Sequence, residues 1–168
     1  GGALIKRGPA YTELSLYARL NRDGKLTLVN ELDIHLGNDP ISILKNLQEK
    51  KYNKDQIMFS KKLSSDYEYQ NRLRNIKANS PARFNSDERR LNGASGCAGK
   101  VAVFAVRIDT YPKPKRKKVF YIGSNRPTVL NIIRERILSK FKNLPVSGEY
   151  IHRDCYDITK RYSKDTFI

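Results

Sequence analysis

The feature that most constrains this chain is a nearly unbroken alternation of apolar and polar side chains from Glu13 to Leu36. Leu14, Leu16, Ala18 and Leu20 precede the triplet Arg22-Asp23-Gly24, and Leu26, Leu28, Leu32, Ile34 and Leu36 follow it. A period of two belongs to strands with one buried face. Parity then fixes the turn. A two-residue Asp-Gly turn would set Leu20 opposite Thr27, an apolar side chain against a polar one all along the ladder. A three-residue loop with Gly24 left-handed pairs Asn21 with Lys25 and Leu20 with Leu26. The second register keeps every even-numbered side chain on the core face, with Asn30 the one polar intruder.

Gly37-Asn38-Asp39-Pro40 reads as a stop followed by a helix start, with Asp39 capping and Pro40 at the first helical position. Ile43, Leu44 and Leu47 give that helix its stripe to about Lys51. A second helical stretch is expected from a cap at Asp66 through Leu73 and Ile76, and Ile57-Met58-Phe59 is an apolar patch of undecided type. Residues 78–100 hold Asn79-Ser80-Pro81 and a run of small residues from Gly93 to Gly99, strong breakers that mark a long internal loop with one helical turn at Asp87 to Leu91.

Val101 to Val106 is apolar on both faces, as a central strand is, and Val119 to Ile122 is its expected partner. Gly123 and Pro127 then open a helix with Leu130, Ile133, Ile137 and Phe141 on one face. Tyr150 to Ile158 is expected as a last strand. The prediction is one α+β domain over residues 1–168, an antiparallel sheet with helices packed on one face. Its order is β-β-α, a helical insert, β-β-α and a final strand, with flexible ends at 1–10 and 160–168. The repeated order suggests an internal echo.

Charge decides what such a domain meets. The chain has 33 Lys+Arg against 17 Asp+Glu, a formal +16, where solubility needs roughly 2 to 8. Cations exceed acids both before and after Phe84, so the excess is no mere basic tail. It peaks at Tyr111-Pro112-Lys113-Pro114-Lys115-Arg116-Lys117-Lys118, five cations in six positions. Such a run draws polyanions by counterion release and steered encounter. Tyr111 and Tyr121 offer stacking faces. Arg126, Arg134 and Arg136 sit at and after the start of the following helix, where arginine suits bidentate phosphate contact. The expectation is a non-enzymatic nucleic-acid-binding protein, viral or chromatin-associated. Its contacts are Tyr111, Lys113, Lys115, Arg116, Lys117, Lys118, Tyr121, Arg126, Arg134 and Arg136, and its partner is DNA or RNA. An anionic membrane surface is the alternative, for a viral matrix or capsid-like layer protein, and self-association is compatible with either.

Other motifs carry less. Residues 112–119 resemble a monopartite nuclear localisation signal of the viral T-antigen type, which implies an import receptor and a nuclear location. Phe120-Tyr121-Ile122-Gly123 with Glu149 resembles the second half of the GIY-YIG nuclease signature, which implies a metal-dependent nuclease using Tyr121, Arg134 or Arg136, and Glu149. Ala105-Val106-Arg107 stands where the first half should be. Gly93, Gly96, Gly99 and Lys100 do not have phosphate-loop spacing. Glu31, Asp33 and His35 are expected on one exposed strand face, and His152, Asp154, Cys155 and Asp157 at a strand end. No cofactor motif or four-ligand metal spacing is visible. Two cysteines, Cys97 and Cys155, suit a reducing compartment. Without a secretion-signal pattern in Gly1 to Ala10 or a membrane-spanning run, an intracellular soluble protein is expected, and the start at Gly1 without an initiator Met suggests a processed or truncated product, or a tag remnant.

Overall fold

The computed structural model describes residues 4–84, 86–95 and 99–163; Cys97 and the end of the expected C-terminal tail lie outside them. In chain order the elements are α1 (Leu4–Arg7), β1 (Ser15–Leu20), β2 (Leu26–Asn30), α2 (Pro40–Gln48), α3 (Tyr69–Arg74), β3 (Val101–Val106), α4 (Pro127–Lys140) and α5 (Arg153–Tyr162), with short 3-10 turns at Lys54–Gln56 and Glu88–Arg90. The fold is α+β around an antiparallel sheet of order β2-β1-β3.

The hairpin takes the register that parity selects. Leu20 faces Leu26, Ala18 faces Leu28 and Leu16 faces Asn30, and the Asn21 amide donates to the Lys25 carbonyl at 2.9 Å. Gly24 holds φ at +80°, where a side chain would be strained. The even-numbered face is buried at the base only: Leu16 and Leu36 are inaccessible, while Leu20 and Leu26 near the tip are exposed. Leu16, Leu32, Ile34, Leu36 and Ile43 form the core, with Leu28, Leu44, Leu47, Tyr52, Ile57 and Ala105 packed against it. Ile57 joins Ile34 by an isolated antiparallel bridge outside the three-stranded sheet, which ties the Ile57-Met58-Phe59 patch to the segment after β2. Asp39 caps α2 by accepting from the Ser42 amide at 3.0 Å.

Several elements differ from expectation. β1 is the central strand, and Ser15, Leu16, Tyr17 and Ala18 are all buried. β3, expected in the centre, is an edge, with Val103, Phe104 and Val106 exposed. β1 is central because it pairs both β2 and β3; β3 is an edge because Val119 to Ile122 forms no strand and leaves it without a second neighbour, which also removes the internal echo. Tyr150 to Ile158 is no strand either, because α5 starts at Arg153, where the His152 ring accepts from the Asp154 amide at 3.2 Å. Glu31 to His35 leaves the strand geometry, since Asp33 turns through φ +56°.

Asp66 does not cap α3, whose N-cap is Glu68. It is instead the buried acceptor of a charge network. Arg72 and Arg90 both bond it, Arg90 at 2.6 Å, and both reach Glu68, at 2.7 and 2.9 Å. Asp87, likewise buried, takes Arg89 at 2.7 Å and Arg83 at 3.3 Å. These pairs fasten the turn at Glu88–Arg90 to α3, and the Arg90 guanidinium lies 5.4 Å over the Tyr11 ring. α4 is held from the same region. Arg74, at the end of α3, donates to the carbonyls of Leu138, Phe141 and Lys142 at 3.1, 2.8 and 3.0 Å. Those carbonyls lie in the last turn of α4, at its C-cap and just beyond it, where helix carbonyls lack intrahelical partners.

Candidate functional site

Charge in this molecule is of two kinds. One is consumed internally: Asp66, Glu68 and Asp87 absorb Arg72, Arg83, Arg89 and Arg90. Burial opposes the charge on Asp66, but hydrogen bonds from Arg90 and Arg72 outweigh it and hold the carboxyl below its ordinary range. The Arg89 hydrogen bond does the same for Asp87, and more strongly. The mirror effect raises Arg90. This network is structural.

The other kind faces water. Pro112 to Lys118 is exposed throughout and adopts no regular element; its two prolines fix φ and lack an N–H for a strand ladder. Lys113, Lys115, Arg116, Lys117 and Lys118 stand outside the ion pairs found among the described residues. Lys118 lies 5.5 Å over the Phe120 ring. Residues 111–163 as a whole carry thirteen Lys or Arg against four Asp or Glu, so the excess survives local pairing.

The predicted contact residues are only partly brought together. Tyr111 is half-buried under Lys6, whose ammonium is 5.4 Å from the ring, which removes one of its stacking faces. Tyr121 is 96% exposed. Arg126 is the N-cap residue of α4, its amide bonded to Ser124. Arg134 bonds the Asn131 amide oxygen at 3.1 and 3.0 Å and lines an open cleft with Arg72, Arg83 and Phe84. Arg136 is exposed. Glu135 accepts from Asn131 at 2.8 Å and leaves these arginines alone.

The remaining candidates resolve into structural roles. Glu31 is held by the Tyr17 hydroxyl at 3.3 Å and Lys62 at 3.4 Å. Asp33 accepts from the Ser60 amide at 3.0 Å. His152 is engaged in capping α5, so the exposed Cys155 has no histidine base in place. Glu149 lies exposed on an irregular segment, apart from any strand that could present it beside Tyr121. Among the described residues no group of three or more His, Cys, Asp or Glu could hold a metal.

Sequence reasoning missed the apolar side of this region. Val119, Phe120, Ile122, Ile132, Phe141, Tyr150, Ile151, Ile158 and Tyr162 are all exposed. The spacing of Cys155, Ile158, Thr159 and Tyr162 was the available signal, a helical i, i+3, i+4, i+7 stripe hidden by the β-like Tyr-Ile pairs around it. Among the described residues no helix is long and apolar enough to cross a membrane.

Residues 119–168 match the family model described as D-lactate dehydrogenase, membrane binding. Over all 168 residues the chain is 55% identical to a quinone-dependent D-lactate dehydrogenase of Escherichia coli, covering 29% of that protein. It is 55% identical over 167 residues, 99% of its length, to the Haemophilus influenzae protein of the same name, covering 30% of it. It is 44% identical over 168 residues to the one from Corynebacterium glutamicum, covering 29%. The chain thus spans about three tenths of the length of the curated relatives it matches. These findings overturn the nucleic-acid, viral and nuclease readings, and leave the import receptor and the nucleus without support. The physical reason is that counterion release answers to any dense array of negative charge. A cationic run identifies the sign of its partner, and phosphates on a lipid surface satisfy it as phosphates on a polymer do.

Proposed function

We propose that this chain is a segment of a quinone-dependent D-lactate dehydrogenase, and that its cationic portion seats the enzyme on the negatively charged face of a membrane. The observation that carries the reading is 55% identity sustained over the whole chain. The match of residues 119–168 to a membrane-binding family model supports its second half.

The chemistry makes the surface intelligible. Oxidising the hydroxyl carbon of D-lactate to a ketone releases two electrons and two protons, which a quinone takes up in becoming a quinol. D-lactate is a small anion that stays in water, whereas quinones are apolar and concentrate in lipid. An enzyme serving both has to sit where the two phases meet. No helix of the described residues spans the bilayer, so attachment from one side is the arrangement their composition favours.

Lys113, Lys115, Arg116, Lys117 and Lys118 form the electrostatic contact, with Arg126 and Arg136 on the neighbouring helix adding to it. Each basic residue close to an anionic leaflet contributes about 1 kcal/mol, and the attraction fades within a Debye length of about 8 Å at physiological salt. Arg134, turned to the cleft and bonded to Asn131, is not assigned to this contact. The test is the full-length protein with D-lactate and a water-soluble quinone analogue. Reduction of the quinone that depends on D-lactate, and is much slower with L-lactate, is the expected result. No turnover with either isomer would overturn the reading.

A further inference from the structure

We infer that helix α5 (Arg153–Tyr162) is an interfacial helix that lies flat on an anionic bilayer and buries the stripe Cys155, Ile158, Thr159 and Tyr162 among the lipid headgroups. This inference rests on the membrane reading above and specifies which element enters the lipid.

Three observations point to α5. Its side chains are strongly segregated: at 100° per residue Cys155, Ile158, Thr159 and Tyr162 share one side, and Arg153, Asp157 and Lys160 occupy the other. The large apolar side chains of this side are open, with Ile158 60% and Tyr162 70% exposed and Thr159 half-buried between them, and Tyr150 and Ile151 just before the helix are exposed as well. No other described element makes more than a marginal contact with α5. A ten-residue helix without tertiary packing is marginal in water, so its stability calls for a surface that pairs with the stripe.

The composition of that surface follows from what α5 carries. The polar side carries contacts within the helix: Arg153 bonds Asp157 at 2.8 Å and stacks 5.6 Å over Tyr156, and Arg161 lies 5.3 Å over Tyr162. Tyrosines at 150, 156 and 162 with basic residues beside them are the side chains that settle at a membrane–water boundary, ring inward and polar tip in water. Lys160 and Arg161 at the C-terminal turn have stems long enough to reach lipid phosphates while the stripe sits in the headgroup layer. The net positive charge of residues 111–163 selects an anionic leaflet over a neutral one.

The experiment uses the full-length protein and vesicles of phosphatidylcholine with and without phosphatidylglycerol. An environment-sensitive fluorophore is attached to Cys155, and the C155S protein, treated identically, gives the background from other thiols. Anionic vesicles are expected to shift the emission to the blue, and doxyl-labelled lipid is expected to quench it. Ile158→Asp is expected to weaken vesicle binding about tenfold, the effect of keeping one large apolar side chain out of the interface, while turnover with the soluble quinone analogue stays unchanged because Ile158 is exposed. If the protein turns over D-lactate and floats with anionic vesicles but the Cys155 probe neither shifts nor is quenched, α5 faces another part of the polypeptide and the inference is wrong. Full vesicle affinity in the I158D protein overturns it equally. Absence of turnover would strike the dehydrogenase reading instead, so the two failures are distinguishable.

Discussion

At the scale of single residues, the best-determined features are the buried carboxylates. Asp66 has no accessible surface and two guanidinium partners. Removing its charge by Asp66→Asn takes away the shorter of the two carboxylate contacts of buried Arg90 and leaves Glu68 as the remaining one, and is expected to destabilise the protein by about 1 to 3 kcal/mol, measured as a fall in the thermal or urea midpoint of the full-length protein. The pH dependence has a fixed sign. Asp66 and Asp87 are held below their unfolded values, so the unfolded chain binds protons first as pH falls. Their stabilisation is complete above about pH 5, and it drains away through pH 4 toward the folded values. A melting-temperature series from pH 7 to pH 3 should be level in its upper part and fall steeply below about pH 4. Asp87→Asn should lower the plateau and soften the fall. None of this was readable in sequence: the aspartate at position 66 looked like a helix cap, because the arginines that claim it come from positions 72 and 90, and separation along the chain conceals such a pairing.

Among the elements, α4 depends on a clamp from outside itself. Arg74 donates to the carbonyl of Leu138 in the helix's last turn and to those of Phe141 and Lys142 at and just past the C-cap, so Arg74→Ala gives these carbonyls up to solvent and costs about 1 to 3 kcal/mol. Hydrogen exchange should locate the loss, with faster exchange at the C-terminal turn of α4 and little change in β1. Exchange that quickens equally in β1 would refute this local role. The hairpin and α2 were legible because their signals are local: parity sets the register, and the Asp39-Pro40 pair sets the helix start. β3 was misplaced because apolar residues on both faces say that two faces avoid water without saying what covers them. Phe120 and Tyr121 misled for the same reason, having strand-like composition and no strand beside them among the described residues. α5 was mistaken for a strand because its tyrosines and isoleucine favour strands intrinsically, whereas the His152 cap and the stripe at 155, 158, 159 and 162 decide for a helix.

At the scale of the whole molecule, the same +16 that first suggested a nucleic acid is reassigned, and the reason is general. Net charge predicts the sign and density of a partner's charge and leaves its chemical class open. The similarity along the full chain is to proteins named quinone-dependent D-lactate dehydrogenases, and under the proposed membrane seat the cations beside exposed aromatic rings have a lipid surface to meet. Replacing Lys115, Arg116, Lys117 and Lys118 with Ala should reduce binding to anionic vesicles, by up to about 1 kcal/mol per cation at low salt, and leave quinone-analogue reduction in water intact. The most direct test of the account is flotation of the full-length protein with vesicles of graded anionic content across a salt series. The account predicts binding that rises with anionic lipid, weakens as salt is added, and drops for the quadruple-alanine protein. Binding that ignores lipid charge and salt, or that the four substitutions leave untouched, would contradict it.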